Sequence, residues 1–217
     1  LAHTLASVRG SKLAGVLLDM RGNGGGAIEG ATSTLGLFLP GAPLFPLRSR
    51  DGGIETEHAT EPPAEDRWMG PVATLVDGGT ASAAEMIAGA LHAYRRGPAL
   101  GTLTYGKGCA QEYLDDVTGT GVLRLTTLLF ALPDGTPVQR LGIQPDLLLP
   151  LPSPPGVDRE ADHLRAAPSW TGPDVRDGAR IGEIPWPRAT NVGPCSDEHV
   201  CRALRALGAG RRDVARR

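Results

Sequence analysis

Val72-Ala73-Thr74-Leu75-Val76-Asp77-Gly78-Gly79-Thr80-Ala81-Ser82-Ala83-Ala84-Glu85-Met86 reads as a strand, a turn and the start of a helix. Val72 to Val76 is a short apolar run ending at two glycines, the pattern of a buried strand that feeds a turn. A helix should follow, because Ala83, Met86, Ile87, Ala90, Leu91 and Tyr94 fall at the spacing of one apolar helix face and Gly97-Pro98 then stops it. Ser82 therefore stands at a helix N-terminus. There, unpaired backbone N–H groups and the positive end of the helix dipole stabilise a developing oxyanion. The plainer reading is that Thr80 or Ser82 is an ordinary N-cap.

The same grammar occurs upstream. Ala14-Gly15-Val16-Leu17-Leu18 ends in Asp19-Met20-Arg21-Gly22-Asn23-Gly24-Gly25-Gly26, and a helical pattern with Ile28, Ala31, Leu35 and Phe38 on one face follows. Successive glycines let a backbone approach a ligand closely and turn its N–H groups toward an anion. A phosphate cradle fits poorly, since neither GxxxxGK[ST] nor GxGxxG with a downstream acidic ribose ligand is convincing here. A simple tight turn is the other reading.

Only two lysines, Lys12 and Lys107, stand against twenty arginines, and Lys107 sits in the glycine-flanked loop Tyr105-Gly106-Lys107-Gly108-Cys109-Ala110-Gln111. Arginine keeps its proton in a protein, whereas a desolvated lysine can act as a base. A lone lysine in such a loop points to proton transfer, and Ser82 is the nucleophile it would serve.

Four segments taken together, 19–26, 77–85, Gly-Lys-Gly-Cys-Ala-Gln at 106–111 and Gly-Ile-Gln-Pro-Asp at 142–146, resemble the carboxyl-terminal processing proteases of peptidase family S41. The resemblance is strongest to their tail-specific branch and runs in order over residues 13–150. It implies the α/β crotonase/ClpP-like fold of repeated ββα units, with additional strands and an irregular C-terminal extension. It also implies a serine endopeptidase with a Ser/Lys dyad and no cofactor or metal. By the same resemblance Ser82 is the nucleophile, Lys107 the general base and Gln111 the residue that orients the lysine. The N–H of Ala83 and that of Gly25 or Gly26 form the oxyanion hole, and Glu85 has a supporting role.

The chemistry agrees with those assignments. Lys107 must be neutral to take the Ser82 proton, which calls for a desolvated pocket. Gln111 can hold the amine in line without adding a negative charge that would favour the ammonium. The alkoxide then attacks the scissile carbonyl, an acyl-enzyme forms, and the lysine returns its proton to the leaving amine. Some family members carry an acidic residue on the nucleophile helix where this chain has Ala93, so no acidic third member is assigned. His92, ten residues beyond Ser82 on one helix, would lie roughly 15 Å away along the axis. His3, His58, His163 and His199 have no motif around them, and no cluster shows metal-ligand spacing.

Composition bounds the remainder. The 217 residues suffice for one substantial core, and a net charge of −2 argues against nucleic acid as a partner. The Arg211-Arg212 and Arg216-Arg217 end reads as a solvated terminus. No run approaches a membrane span. No signal peptide is recognisable, and the chain opens at Leu1 within a helical pattern, as expected of a piece of a longer or processed protein. By the resemblance, residues 1–150 are expected to form the protease core. Strands are expected at Gln111–Val117, Val122–Phe130, Val138–Arg140 and Asp146–Leu149, and residues 40–71 are expected to form a hairpin or a flap over the cleft. Pro150, Pro152, Pro154 and Pro155 mark a linker into residues 151–217, which continue as an extended tail anchored by Trp170 and Trp186. They end in a helix with Val200, Ala203, Leu204 and Leu207 on one face, capped by Ser196 and stopped by Gly208.

Cys195 and Cys201 flank the first turn of that helix, where a disulfide and two reduced thiols are both sterically open. A bonded pair would place the protein in an oxidising compartment, matching the periplasmic location the resemblance implies. Cys109 reads as a small packing residue. The substrates implied are proteins or peptides, particularly unfolded C-termini. The family's usual substrate-capturing PDZ domain is not discernible in this chain. A non-catalytic binding module on the same fold, like the retinoid-binding repeats, is the alternative from another class, and the intact Ser82, Lys107 and Gln111 argue against it.

Overall fold

The computed structural model describes residues 1–8, 13–115, 119, 121–152, 158–163, 170–176, 185–186 and 195–209. Lys12, the end of the strand expected to reach Val117, Pro154, Pro155 and the terminal arginine pairs lie outside the described residues. In chain order the elements are α1 (Ala2–Val8), β1 (Val16–Asp19), α2 (Ile28–Gly36), β2 (Pro43–Ser49), β3 (Ile54–His58), β4 (Val72–Val76) and α3 (Ala83–Ala93). After them come β5 (Ala99–Gly101), β6 (Cys109–Asp115), β7 (Val122–Phe130), β8 (Leu147–Leu148), α4 (Glu160–His163) and α5 (Glu198–Ala209).

Two four-stranded sheets result. The first, in the order β1-β4-β5-β8, is wholly parallel, and the second, β3-β2-β7-β6, is antiparallel. Strands of a parallel sheet are covered on both faces and read as continuous apolar runs. β4 obeys this, with all five residues buried. Val72 and Val76 join the main core with α2, α3 and the inner face of the second sheet. Ala73 and Leu75 face the other way, into a second core with Leu100, Leu149 and the α5 residues Ala203 and Ala206.

Because β1, β4 and β5 run parallel, their C-terminal ends release three loops at the same edge: 20–27 after β1, 77–82 after β4 and 102–108 after β5. In open parallel sheets ligands bind outside those carboxyl ends. Three of the four motif segments therefore converge for a topological reason.

The structure corrects several sequence expectations. Residues 138–140 are not a strand. Val138 is fully buried, Gln139 turns its side chain inward, and Arg140 adopts φ 67°, which breaks the extended run. The 40–71 segment does make a hairpin, but it does not flap over the cleft, because β2 lies inside the second sheet between β3 and β7 and buries Leu44, Phe45 and Leu47. α3 buries every residue except His92 rather than a single face, since it is packed on all sides by the main core.

At the chain's far end Asp197, not Ser196, caps α5, its Oδ1 accepting the N–H of His199 and of Val200 at 2.9 Å each. The helix runs through Gly208 to Ala209. Cys195 and Cys201 are joined by a disulfide across its first turn. Trp186 lies over Gly15, where a side chain would meet the indole at 2.7 Å, and Trp170 stacks on the Arg48 guanidinium 5.2 Å from the ring centre. Among the described residues no helix is long and apolar enough to cross a membrane.

Asp197 also receives the Arg21 guanidinium at 2.9 Å, and Arg21 holds Asp19 at 2.6 Å, so the α5 cap is tied to the end of β1. Arg21 holds the Asp197 carboxyl down at about 2, below its ordinary 3.8. The unfolded chain takes up this proton first as pH falls, so the stabilisation is complete above pH 4 and is lost between about 3.8 and 2. Asp197→Asn keeps a good cap but removes the charge. The difference between the unfolding free energies of the parent and this variant should therefore be constant above pH 4 and shrink through that window.

Candidate active site

The turn that carries Ser82 is held by Asp77 and Thr80. Asp77 Oδ1 accepts the N–H of Gly22 at 2.9 Å, that of Gly79 at 2.9 Å and the Thr80 hydroxyl region at 3.2 Å. The Thr80 hydroxyl lies 2.8 Å from the Met20 carbonyl, and Ala81 N–H donates to the Asn23 carbonyl at 2.9 Å. These contacts stitch the glycine-rich turn after β1 to the turn after β4. Ser82 then takes φ 55°, a left-handed conformation that costs a side-chain-bearing residue energy and recurs at functional sites.

Gly25 is seated directly against this turn. A Cβ there would stand 2.7 Å from the Ala81 carbonyl oxygen and 2.9 Å from the Ala83 nitrogen, and its φ of 99° is glycine territory. Its N–H donates to Asn23 Oδ1 at 3.0 Å. Gly26 lines the cleft beside it, and Ala83, the first residue of α3, presents one of the N–H groups a helix start leaves without an intrahelical partner.

The Lys107 loop is joined to Ser82 through Glu85. This carboxylate is fully buried, and Oε2 accepts the backbone N–H of Ser82 at 2.9 Å and of Lys107 at 2.8 Å. Oε1 accepts the N–H of Gly106 at 2.7 Å and the Thr104 hydroxyl. Thr104 Oγ1 in turn accepts the Ile143 N–H at 2.7 Å, which brings in the fourth motif segment, 142–146. The Glu85 carboxyl lies above its ordinary value because burial outweighs the four donors that pull it down. Glu85 thus clamps two loops together.

Ser82, Ala83, Lys107, Gln111 and Gly26 line one cleft of about 330 Å³, walled by α2 on one side and by β6 and β7 on the other. Ser82 and Lys107 are both half-buried. Gln111 shares the cleft, but its amide is turned across the hairpin and donates to Thr126 Oγ1 at 3.4 Å. Cys109 also lines it. Burial pushes its thiol up, which keeps it protonated and unreactive, as suits a packing residue. His92 lies at the opposite end of α3, its Nδ1 2.9 Å from Asp146 Oδ2. The role of Glu85 as a double clamp was not legible in the sequence beyond its place three residues after Ser82, and neither was Asp77, whose signal was the Asp-Gly-Gly turn.

Comparison with known proteins shows the family and the fold. The family model described as Peptidase family S41 matches residues 1–149. A carboxy-terminal-processing protease of Bartonella bacilliformis is 38% identical over 144 residues, which cover 66% of this chain and 32% of that protein. A tail-specific protease of Haemophilus influenzae is 30% identical over 153 residues, or 67% of this chain and 22% of that one. Among solved structures, the photosystem II D1 C-terminal processing protease superposes with TM-score 0.61 at 30% identity over 68% of this chain and 38% of that chain. Mature CPAF, at TM-score 0.58 and 15% identity over 69% of this chain and 41% of its own, shares the fold. The chain spans about a third of the length of the first curated relatives it matches.

Glu85→Gln keeps the shape of the clamp but points an NH₂ group at donors that need an acceptor. Each buried donor left unsatisfied costs about 1–3 kcal/mol. The variant should lower the urea midpoint by a corresponding amount at unchanged m-value, measured by equilibrium unfolding.

Proposed function

The chain belongs to peptidase family S41, and we propose that it carries the catalytic core of a serine endopeptidase in which Ser82 is the nucleophile and Lys107 the general base. The observation that supports this most is the shared clamp: one buried carboxylate holds the backbones of both residues at the head of one cleft. A backbone tie on each side fixes where each side chain begins.

Lys107 Nζ takes the Ser82 hydroxyl proton as Oγ attacks the scissile carbonyl. The carbonyl oxygen becomes an oxyanion and is stabilised by N–H groups already aimed at it. Ala83 N–H is one donor. Gly26 N–H is the other, because the Gly25 N–H is already given to Asn23. The tetrahedral intermediate collapses, Lys107 passes its proton to the departing amine, and an acyl-enzyme on Ser82 remains for water to hydrolyse. Gln111 orients the lysine once its amide leaves Thr126, a rotation of one side chain on an exposed strand.

The substrates are proteins or peptides, and by likeness to relatives named for carboxyl-terminal processing, chains cut near their C-termini. The Cys195–Cys201 disulfide supports an oxidising, extracytoplasmic location. The alternative of a non-catalytic binding module offers no reason for the strained Ser82 backbone or for a clamp that joins it to the lysine loop.

Ser82→Ala and Lys107→Ala should each reduce cleavage of an unfolded protein by at least ~10³-fold, because members of a catalytic unit fail together. Lys107→Arg should lose nearly as much, since arginine does not give up its proton. The check is the initial rate of release of new termini from an unfolded substrate, and an active Lys107→Arg enzyme would remove the lysine from the mechanism.

A further inference from the structure

The lysine loop is gripped from a second side by residues outside the family match. Arg159 Nε donates to the Thr104 carbonyl at 3.2 Å, and its NH2 group reaches the carbonyls of Arg140 at 3.2 Å and Leu141 at 2.8 Å. The next residue, Glu160, donates its backbone N–H to the Tyr105 carbonyl at 3.2 Å. Its carboxylate is buried, at 7% exposure, and accepts Gln139 Nε2 at 3.0 Å. Gln139 Oε1 in turn accepts the Gly108 N–H at 2.8 Å.

The last two bonds form a relay with a definite sense. An amide side chain has one accepting oxygen and one donating nitrogen. A buried carboxylate accepts only, so Glu160 draws the nitrogen of Gln139 toward itself and leaves the oxygen facing Gly108, one residue past Lys107. Without Glu160 the amide could turn over and set its NH₂ against the Gly108 N–H. Tyr105 supplies a second link: its side chain is hydrogen-bonded to Glu160, and the phenol is pushed up by burial first and by that carboxylate next. A buried carboxylate is costly unless hydrogen-bonded, so this one has a specific arrangement to maintain.

We propose that Arg159 and Glu160 are positioning residues for Lys107, a brace supplied by the segment after the family-matched core that fixes residues 104–108 through contacts separate from those of Glu85. The proposal rests on the reading of Lys107 as the base. The brace acts through backbone and through Gln139 and does not touch substrate. The loop between its two anchors is short, so loosening either one moves the lysine relative to Ser82. A displacement of about 1 Å can cost ~10²-fold in rate.

The test measures amide hydrogen exchange in peptides covering residues 104–109, with kcat and KM for an unfolded protein substrate, in the parent chain and in Arg159→Ala, Glu160→Ala, Glu160→Gln and Ser82→Ala. Arg159→Ala and Glu160→Ala should each speed loop exchange by about 10-fold or more while β4 peptides are unchanged. Both should lower kcat at least ~10-fold with KM within about 3-fold. Glu160→Gln, which still offers Gln139 an oxygen, should restore both. Loop exchange that is unchanged in the alanine variants, or a loosened loop with kcat intact, would overturn the brace. Cleavage that survives Ser82→Ala would instead overturn the Ser/Lys reading, and loop exchange would still decide whether the brace exists. Should Glu160→Ala fail to fold, Arg159→Ala, which removes a half-buried guanidinium, carries the same comparison.

Discussion

The buried carboxylate of Glu85 is the contact on which the site depends. It stands in the first turn of α3 and accepts four donors from two separate loops. Only an ionised carboxylate has the accepting capacity for all four, because glutamine would have to present donors on one side. A buried charge of this kind is expensive by itself and is tolerated where hydrogen bonds satisfy it. What it supplies is specificity of arrangement, holding the backbone N–H groups of Ser82 and Lys107 to one and the same oxygen, Oε2. Asp77 performs the parallel task one layer back, joining the glycine-rich turn to the Ser82 turn.

That clamp works because the parallel sheet delivers its loops to one edge. β1, β4 and β5 end together, so the glycine-rich turn, the Ser82 turn and the Lys107 loop begin within reach of each other. The cost of such a sheet is a second apolar face. Here the face is covered by α5 and Trp186, and the Asp197 cap of α5 is tied through Arg21 to the end of β1. The segment beyond residue 149 thus covers the back of the sheet and reaches the lysine loop through Arg159 and Glu160.

The parts of this picture legible in the sequence are those carried by short-range pattern. The apolar run ending at Asp77-Gly78-Gly79, the glycine triplet at 24–26 and Lys107 in its glycine-flanked loop announce strand ends and a loop at the site, and the structure sets them around one cleft. The misses have long-range causes. Val138 to Arg140 reads as strand on its residue types, but Gln139 is drawn inward to Gly108 and Arg140 turns left-handed. Asp197 outcompetes Ser196 as cap because it also pairs with Arg21, some 176 residues away in sequence. The inward course of β2 depends on pairing with β7, which no local pattern in residues 43–49 reveals.

The most direct test of the central claim is covalent labelling by a fluorophosphonate, with the modified residue located by peptide mass mapping and the labelling rate compared between the parent protein and Lys107→Arg. The account predicts a single adduct on Ser82 whose rate of formation collapses when Lys107 becomes arginine. An adduct on a different residue, or labelling of Ser82 at the same rate in both proteins, would contradict it.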